Sequence, residues 1–390
     1  VRKMKYEFPK NFYWGAATAA HQVEGNNLND WSQWEQEKEG RPISGRACDH
    51  YNRFREDFDI ARELGHNAHR FSIEWSRIET EEGKFEIESL RHYGQVIKAL
   101  RERSIEPFVT LWHWTLPRWL ADIGGVENEK FTEYFRRYTE HVVSWFEKTN
   151  TRVGFWITIN EPEIWTKSAY LDGLWPPQKK SFIKYKRALD ALAEAHKRSY
   201  QVIRKFQPDA QVGIAKNNTY FEGRGVNKFF KWFKDWWYNE YFLRKIRHHQ
   251  DFIGLNYYFH NRIKWLFFER NENKWVSDMN WEIFPEGIYH VLMDLRKYNK
   301  PIYITENGVA DAKDIHREKF IKEHLRWIHK ALEDGADIRG YLYWAFLDNF
   351  EWDKGFWPLF GLVEMDYETM ERKIRPSAYD YAKIAQNNGF

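Results

Sequence analysis

With 390 residues, 43% of them hydrophobic and 30% charged, the chain has enough apolar surface to bury a core while its exterior stays solvated. Sixty basic against 57 acidic residues leave a formal charge of +3, too balanced for phosphate-backbone attraction to drive function, so nucleic acid is not an expected partner. A lone cysteine, Cys48, excludes an internal disulfide and a thiolate metal cluster, which suits a reducing compartment.

The basic start, VRKMKYEFPKNFYWG, runs into charged and aromatic residues without the apolar stretch of a signal peptide, and no segment approaches the ~20 apolar residues of a membrane span. A cytoplasmic protein is expected. No low-complexity tract, linker or composition break divides the chain, so residues 1–390 read as one domain.

In chain order, short apolar runs alternate with amphipathic stretches. The runs are FYWGAAT from Phe12, AHRFSI from Ala68, PFVTLW from Pro107, FWITI from Phe155, QVGIA from Gln211, DFIGLNYY from Asp251, PIYIT from Pro301 and GYLYWAF from Gly340. Each is near-continuously apolar and rich in β-branched or aromatic residues, the pattern of a strand buried on both faces of a parallel sheet. Helical stripes separate them. Tyr51, Phe54, Phe58, Ala61 and Leu64 form one, closing on Gly65, where a left-handed cap is wanted. Others run through 129–148, 184–206, 285–298 and 318–332. Eight strands alternating with helices predict an α/β fold, a single (β/α)8 TIM barrel, with its chemistry at the carboxyl ends of the strands.

Polar, aromatic and acidic residues recur at those ends: His21, Gln22 and Glu24; Arg70 and Glu74; His113; Asn160 and Glu161; Asn256 and Tyr258; Glu306; Trp344, Asn349, Glu351 and Trp352. The fourth and seventh strands lie across a barrel from one another, so Glu161 and Glu306 would face each other over a central cavity. Two carboxyls flanking one bond are what glycoside hydrolysis requires, and a retaining mechanism needs them about 5–5.5 Å apart. Different surroundings set the two to different tasks. Arg70 near the barrel axis could hold Glu306 ionised, with Tyr258 donating to the same carboxylate, while the apolar neighbours Pro162 and Trp165 suit Glu161 to the acid/base role. Singly, Arg70 could instead pair with Glu74, and His113, Trp344 and Trp352 could be packing residues. Twenty-one tryptophans add a sugar-binding character, since indole faces stack on pyranose rings.

The segments NFYWGAATAAHQVEG, HRFSIEWSRI, TLWHWTLPRWL, TINEPEIW, DFIGLNYY, YITENGVAD, YLYWAFLDNFEW and FGLVEMDY resemble, in that order, the family 1 glycoside hydrolases, the β-glucosidase and β-galactosidase group, from about Phe8 to Tyr379. The resemblance implies retaining double displacement through a covalent glycosyl-enzyme intermediate, with Glu161 as acid/base and Glu306 as nucleophile. It implies that Gln22, His113, Asn160, Glu351 and Trp352 bind the non-reducing sugar, that Asn160 holds its 2-hydroxyl, and that Trp344 stacks beneath the ring. Trp281 resembles the platform for the leaving group. Glu351 implies neutral sugars, because a carboxylate there would repel a 6-phosphate. Small β-glycosides or oligosaccharides are the implied substrates, β-D-glucosides together with β-D-galactosides or fucosides. No cofactor or metal is expected; His248 and His249 are adjacent and badly spaced for one helical face.

Thr115 departs from the frequent Asp of the family and Ile374 from a frequent Pro, and the chain looks shortened between its fifth and sixth strands. The alternatives are a transglycosidase, in which an alcohol intercepts the same intermediate, and a carbohydrate-binding barrel without turnover. The aromatic and basic stretch from Phe229 to His249 reads as the fifth barrel helix with an unusually aromatic inner face. Contact of that stretch with a membrane surface is the less favoured reading.

Overall fold

The eight apolar runs form the eight strands of a closed parallel barrel: β1 (Tyr13–Ala17), β2 (Ala68–Ser72), β3 (Glu106–Trp112), β4 (Phe155–Asn160), β5 (Gln211–Asn217), β6 (Ile253–Asn256), β7 (Ile302–Asn307) and β8 (Ile338–Trp344). Each strand pairs with its sequence neighbours, and β8 closes against β1 in the register Tyr13 to Gly340. The computed structural model describes residues 6–264 and 268–390, so the first five residues of the basic start lie outside it.

Helices α1 (His50–Glu63), α2 (Ile87–Arg101), α3 (Phe131–Lys148), α4 (Phe182–Phe206), α5 (Asn227–Lys234), α6 (Glu286–Leu295), α7 (Arg317–Glu333) and α8 (Pro376–Asn387) follow the strands in turn. The stripe that predicts α1 is buried at Phe54, Phe58 and Ala61, and Gly65 takes the positive φ of +69° that its place after the helix requires. Among the described residues, no helix is long and apolar enough to cross a membrane.

Alternation along the strands sends one set of side chains into the barrel and the other against the helices. On β4, Phe155 and Ile157 point inward, whereas Thr158 bonds His196 of α4. The inward aromatic residues collect at the amino ends of the strands. Phe108 stacks on Phe155 at 4.2 Å, and both contact Tyr303, closing the barrel floor. Phe108→Ala would remove a fully buried ring from this layer, and the expected cost is about 3–5 kcal/mol. A denaturant midpoint close to that of the native chain would show that the floor packs more loosely than described.

The fifth unit meets expectation only in part, because the stretch from Phe229 to His249 divides between an exposed and a buried helix. Residues 227–234 do not turn an aromatic face inward: Phe229, Trp232 and Phe233 are 65%, 60% and 46% exposed, and no residue of α5 is buried. The segment that covers the barrel here is Tyr241–Ile246, which buries Phe242, Leu243 and Ile246. Those three residues occupy the inward positions, so α5 rests instead beside a small outer sheet in which 220–223 pairs with 260–264.

Candidate active site

The carboxyl ends of the strands surround a cavity of about 230 Å³. Gln22, His113, Asn160, Glu161, Tyr258, Trp281, Glu306, Trp344, Glu351 and Trp352 all line it. Arg70 lies fully buried directly beneath. Every site residue expected from the sequence is therefore at one mouth.

The backbone aims the two glutamates by local irregularity. The β4–β5 register shifts between Ile157 and Asn160, and the β6–β7 register shifts between Ile304 and Glu306. Such bulges re-aim a side chain at a strand end. Glu161 also sits at φ +38°, a left-handed conformation uncommon for a residue with a side chain, just before Pro162 opens a short helix. Behind Glu306, a Cβ added to Gly308 would lie 1.6 Å from the Trp344 carbonyl oxygen, so only glycine lets the end of β7 pass this close to β8.

Glu306 is held at both oxygens. Arg70 Nη1 donates to Oε1 at 2.5 Å and the Tyr258 hydroxyl donates to Oε2 at 2.9 Å. Arg70 also donates to Thr110 Oγ1 at 3.0 Å and to Asn160 Oδ1 at 2.7 Å, which fixes the guanidinium on three strands at once. It does not pair with Glu74. That carboxylate instead accepts from Ser76, Asn29 and Thr115, the last giving the unusual threonine a buried partner.

Glu161 accepts at one oxygen, Oε1, from Asn217 Nδ2 at 3.0 Å and Asn256 Nδ2 at 2.8 Å. The Thr305 hydroxyl donates to Asn256 Oδ1 at 2.7 Å and so orients that amide. A carboxyl with two N–H donors on one oxygen carries its proton on the other. Burial, followed by the charge of the facing Glu306, pushes Glu161 up to about 8. Burial raises Glu306 as well, and Arg70 and then Tyr258 pull it back without reversing the lift. The expected partners of Glu306, Arg70 and Tyr258, are both in place, and they act against a desolvation that the sequence did not reveal. The difference between the two sites remains: Glu306 has a bonded cation and Glu161 has none.

Around this pair, Gln22 Nε2 donates to Asn349 Oδ1, to the Phe350 carbonyl at 2.9 Å and to Glu351 Oε2 at 3.3 Å. Asn160 Nδ2 donates to His113 Nε2 at 3.0 Å, which leaves the proton of the imidazole on Nδ1. Burial holds His113 far below its ordinary pKa, so the ring is neutral. Gln22 Oε1 and His113 Nδ1 are buried without a hydrogen-bond partner. Buried polar atoms are rarely left so, and both belong to the cavity lining. Trp352 is fixed by Trp114 and Trp31, with ring centroids at 4.7 and 4.6 Å. Trp281 packs edge-on against Phe259 at the outer wall.

Other residues at the strand ends serve the frame. His21 bonds Glu35 at 2.9 Å, Glu24 accepts from Tyr93 and Arg77, and the Tyr257 hydroxyl donates to the Phe284 carbonyl. Sequence reasoning missed Asn217 and Trp175 and left Asn256 without a role. Continuing the inward alternation of β5 past Gly213 and Ala215 would have reached Asn217. Below Glu161, Lys216 Nζ pairs with Glu163 at 3.1 Å and donates to the Tyr238 carbonyl at 2.7 Å, tying the acid-bearing helix to the fifth unit.

A parallel eightfold barrel with paired carboxyls, one cation-bound and one proton-bearing, in an aromatic cavity defines an enzyme that cleaves glycosidic bonds. The model for glycosyl hydrolase family 1 matches residues 4–228 and 238–390. A 1,4-beta-D-glucan glucohydrolase of Thermotoga neapolitana is 34% identical, over 98% of this chain and 99% of its own. The solved beta-glycosidase from Pyrococcus horikoshii superposes with a TM-score of 0.93 at 38% identity, covering 99% of this chain and 96% of that one. The beta-glucosidase from Thermotoga maritima in complex with glucoimidazole gives 0.91 at 32% identity, covering 98% and 100%. The chain belongs to glycosyl hydrolase family 1 and is a glycoside hydrolase.

Proposed function

We propose that the protein hydrolyses neutral β-D-glucosides, and β-D-galactosides or fucosides at the same site, by double displacement with retention. The observation that carries this reading is the unequal treatment of the two carboxyls: Arg70 and Tyr258 bind Glu306, while Glu161 receives only amide bonds and faces a negative charge. In the first step a Glu306 oxygen attacks the anomeric carbon, the bond to the leaving oxygen breaks, and Glu161 gives that oxygen its proton. In the second, Glu161 takes a proton from water as the water oxygen attacks the same carbon and the ester to Glu306 breaks. As the charge on Glu306 falls in the first step, Arg70 keeps its bond to Asn160, so the cation is never stranded.

The unpartnered Gln22 Oε1 and His113 Nδ1 supply one acceptor and one donor to sugar hydroxyls, and Asn160 supplies the 2-hydroxyl contact. Glu351, with Gln22 against it, accepts from the hydroxyls at the far end of the ring. Trp344 stacks beneath the ring, Trp352 closes its side, and Trp281 with Met279 forms the surface on which the leaving group lies. A carboxyl at Glu351 disfavours a 6-phosphate, so neutral sugars are the substrate class. A reducing, cytoplasmic setting suits the free, buried Cys48. The test is the anomer of the first-formed sugar from an aryl β-glucoside, read by proton NMR before mutarotation. The β-anomer is expected; the α-anomer as first product would refute double displacement, and no turnover of any neutral aryl β-glycoside would refute the substrate class.

A further inference from the structure

Beside the mouth, two basic segments present their apolar residues to solvent. In α5 and its lead-in, Val226, Phe229, Trp232 and Phe233 are 79%, 65%, 60% and 46% exposed, at spacings that put them along one side of the helix. The second segment opens α4, where Phe182 and Ile183 are 55% and 65% exposed. Phe182 lies against Trp237 with ring centroids 5.4 Å apart, which joins the two segments into one surface. Exposed apolar groups this close together mark an interaction site more often than scattered ones do.

The charges around this surface have one sign within each segment. Residues 224–234 carry Arg224, Lys228, Lys231 and Lys234 and no acidic residue; residues 177–187 carry Lys179, Lys180, Lys184, Lys186 and Arg187 and no acidic residue. Some of these cations are engaged: Lys231 pairs with Asp235, Lys184 with Glu127 and Lys186 with Asp190. Arg224 pairs with Glu222 at 3.4 Å, and Lys179, Lys180 and Lys228 stand exposed at the border of the apolar rings. Aromatic rings beside long cationic side chains are matched by the boundary between acyl chains and anionic headgroups, into which rings sink while lysines reach the phosphates. Leu174 and Trp175, which line the cavity, follow Gly173, whose α-carbon packs against Lys179 and Lys180. Residues 229–237, the aromatic centre of the surface, fall outside the stretch matched by the family model.

We propose that the face formed by α5 and the start of α4 docks the enzyme on an anionic membrane surface. The helix lies in the interface with Phe229, Trp232 and Phe233 inserted, and attraction between its cations and the headgroups adds a contribution that salt screens.

Co-sedimentation of the full chain with phosphatidylserine–phosphatidylcholine vesicles at low salt is expected, with little on pure phosphatidylcholine and a marked fall at high salt. The double variant Phe229→Ser/Trp232→Ser is expected to lower partitioning roughly tenfold while retaining aryl β-glucoside hydrolysis and a native near-ultraviolet spectrum. Charge reversal at Lys179 and Lys180 is expected to lower binding to the anionic vesicles alone. Absence of binding at low salt, or equal binding by the double variant, would overturn the proposal. So would a dimer in analytical ultracentrifugation that forms in place of vesicle binding and dissolves in the double variant, since the face would then belong to a second copy.

Discussion

Glu306→Ala is expected to lower kcat for an aryl β-glucoside by a factor on the order of 10⁵, because the covalent route loses the atom that attacks the anomeric carbon. The loss is expected in kcat: Gln22, His113 and Glu351, the proposed sugar-binding residues of the cavity lining, are untouched, so binding of a ground-state ligand should persist. Alanine leaves the buried guanidinium of Arg70 without its carboxylate, which also costs stability. Glu306→Gln is therefore the companion, keeping the shape and an oxygen for Tyr258 while unable to attack. Both variants are to be assayed beside a ligand-binding titration. Substantial turnover in both, with the fold intact, would remove Glu306 from the chemistry; a native chain as inactive as the variants would leave a sugar-binding barrel.

Glu161→Gln should separate substrates by their leaving groups. An alkyl or sugar aglycone needs a proton as its bond breaks, so hydrolysis is expected to fall by about 10³. A dinitrophenyl aglycone leaves without one, so its first step is expected to survive and the second, which needs a base to deprotonate water, to become limiting. The pH profile carries the same assignment. The proton-bearing form of a carboxyl lifted to about 8 is present below that pH and lost above it, so kcat/KM should decline as the pH rises through about 8. Glu351, also pushed up to about 8 by burial and by Glu306, titrates in the same window. Loss of the alkaline limb in Glu161→Gln assigns it to Glu161. An unchanged limb in that variant would transfer the acid role elsewhere.

Most of the barrel was legible because both of its signals are local. Continuous apolar runs such as FWITI and PIYIT mark strands buried on two faces, and the stripe from Tyr51 to Leu64 marks a covering helix; each survives as β4, β7 and α1. The site was legible because residues at successive strand ends must meet. What was hidden depends on contacts between distant segments. The bulges that aim Glu161 and Glu306 follow from pairing with β5 and β6, and neither strand's own sequence encodes them. Asn217 is separated from Glu161 by 56 positions, so its bond to the acid could not be seen from either neighbourhood. The aromatic content from Phe229 to His249 suggested one inward face, yet within that stretch only the part carrying Phe242, Leu243 and Ile246 took the inward positions, leaving Phe229, Trp232 and Phe233 outside. Composition registers how apolar a segment is, and tertiary competition decides which segment is covered.

The aromatic layer across the amino ends of the strands turns the barrel into a vessel with one opening. With Phe108, Phe155 and Tyr303 stacked over its base, the proposed sugar, aglycone and water share one way in and out, past Trp175 and Trp281 in the cavity lining. For the double displacement proposed above, traffic through that lip is sequential: the aglycone has to clear it before water reaches a sugar held on Glu306. On that proposal an alcohol bound at those indoles would compete with water for the sugar, so occupancy of the exit would set the ratio of free sugar to newly made glycoside.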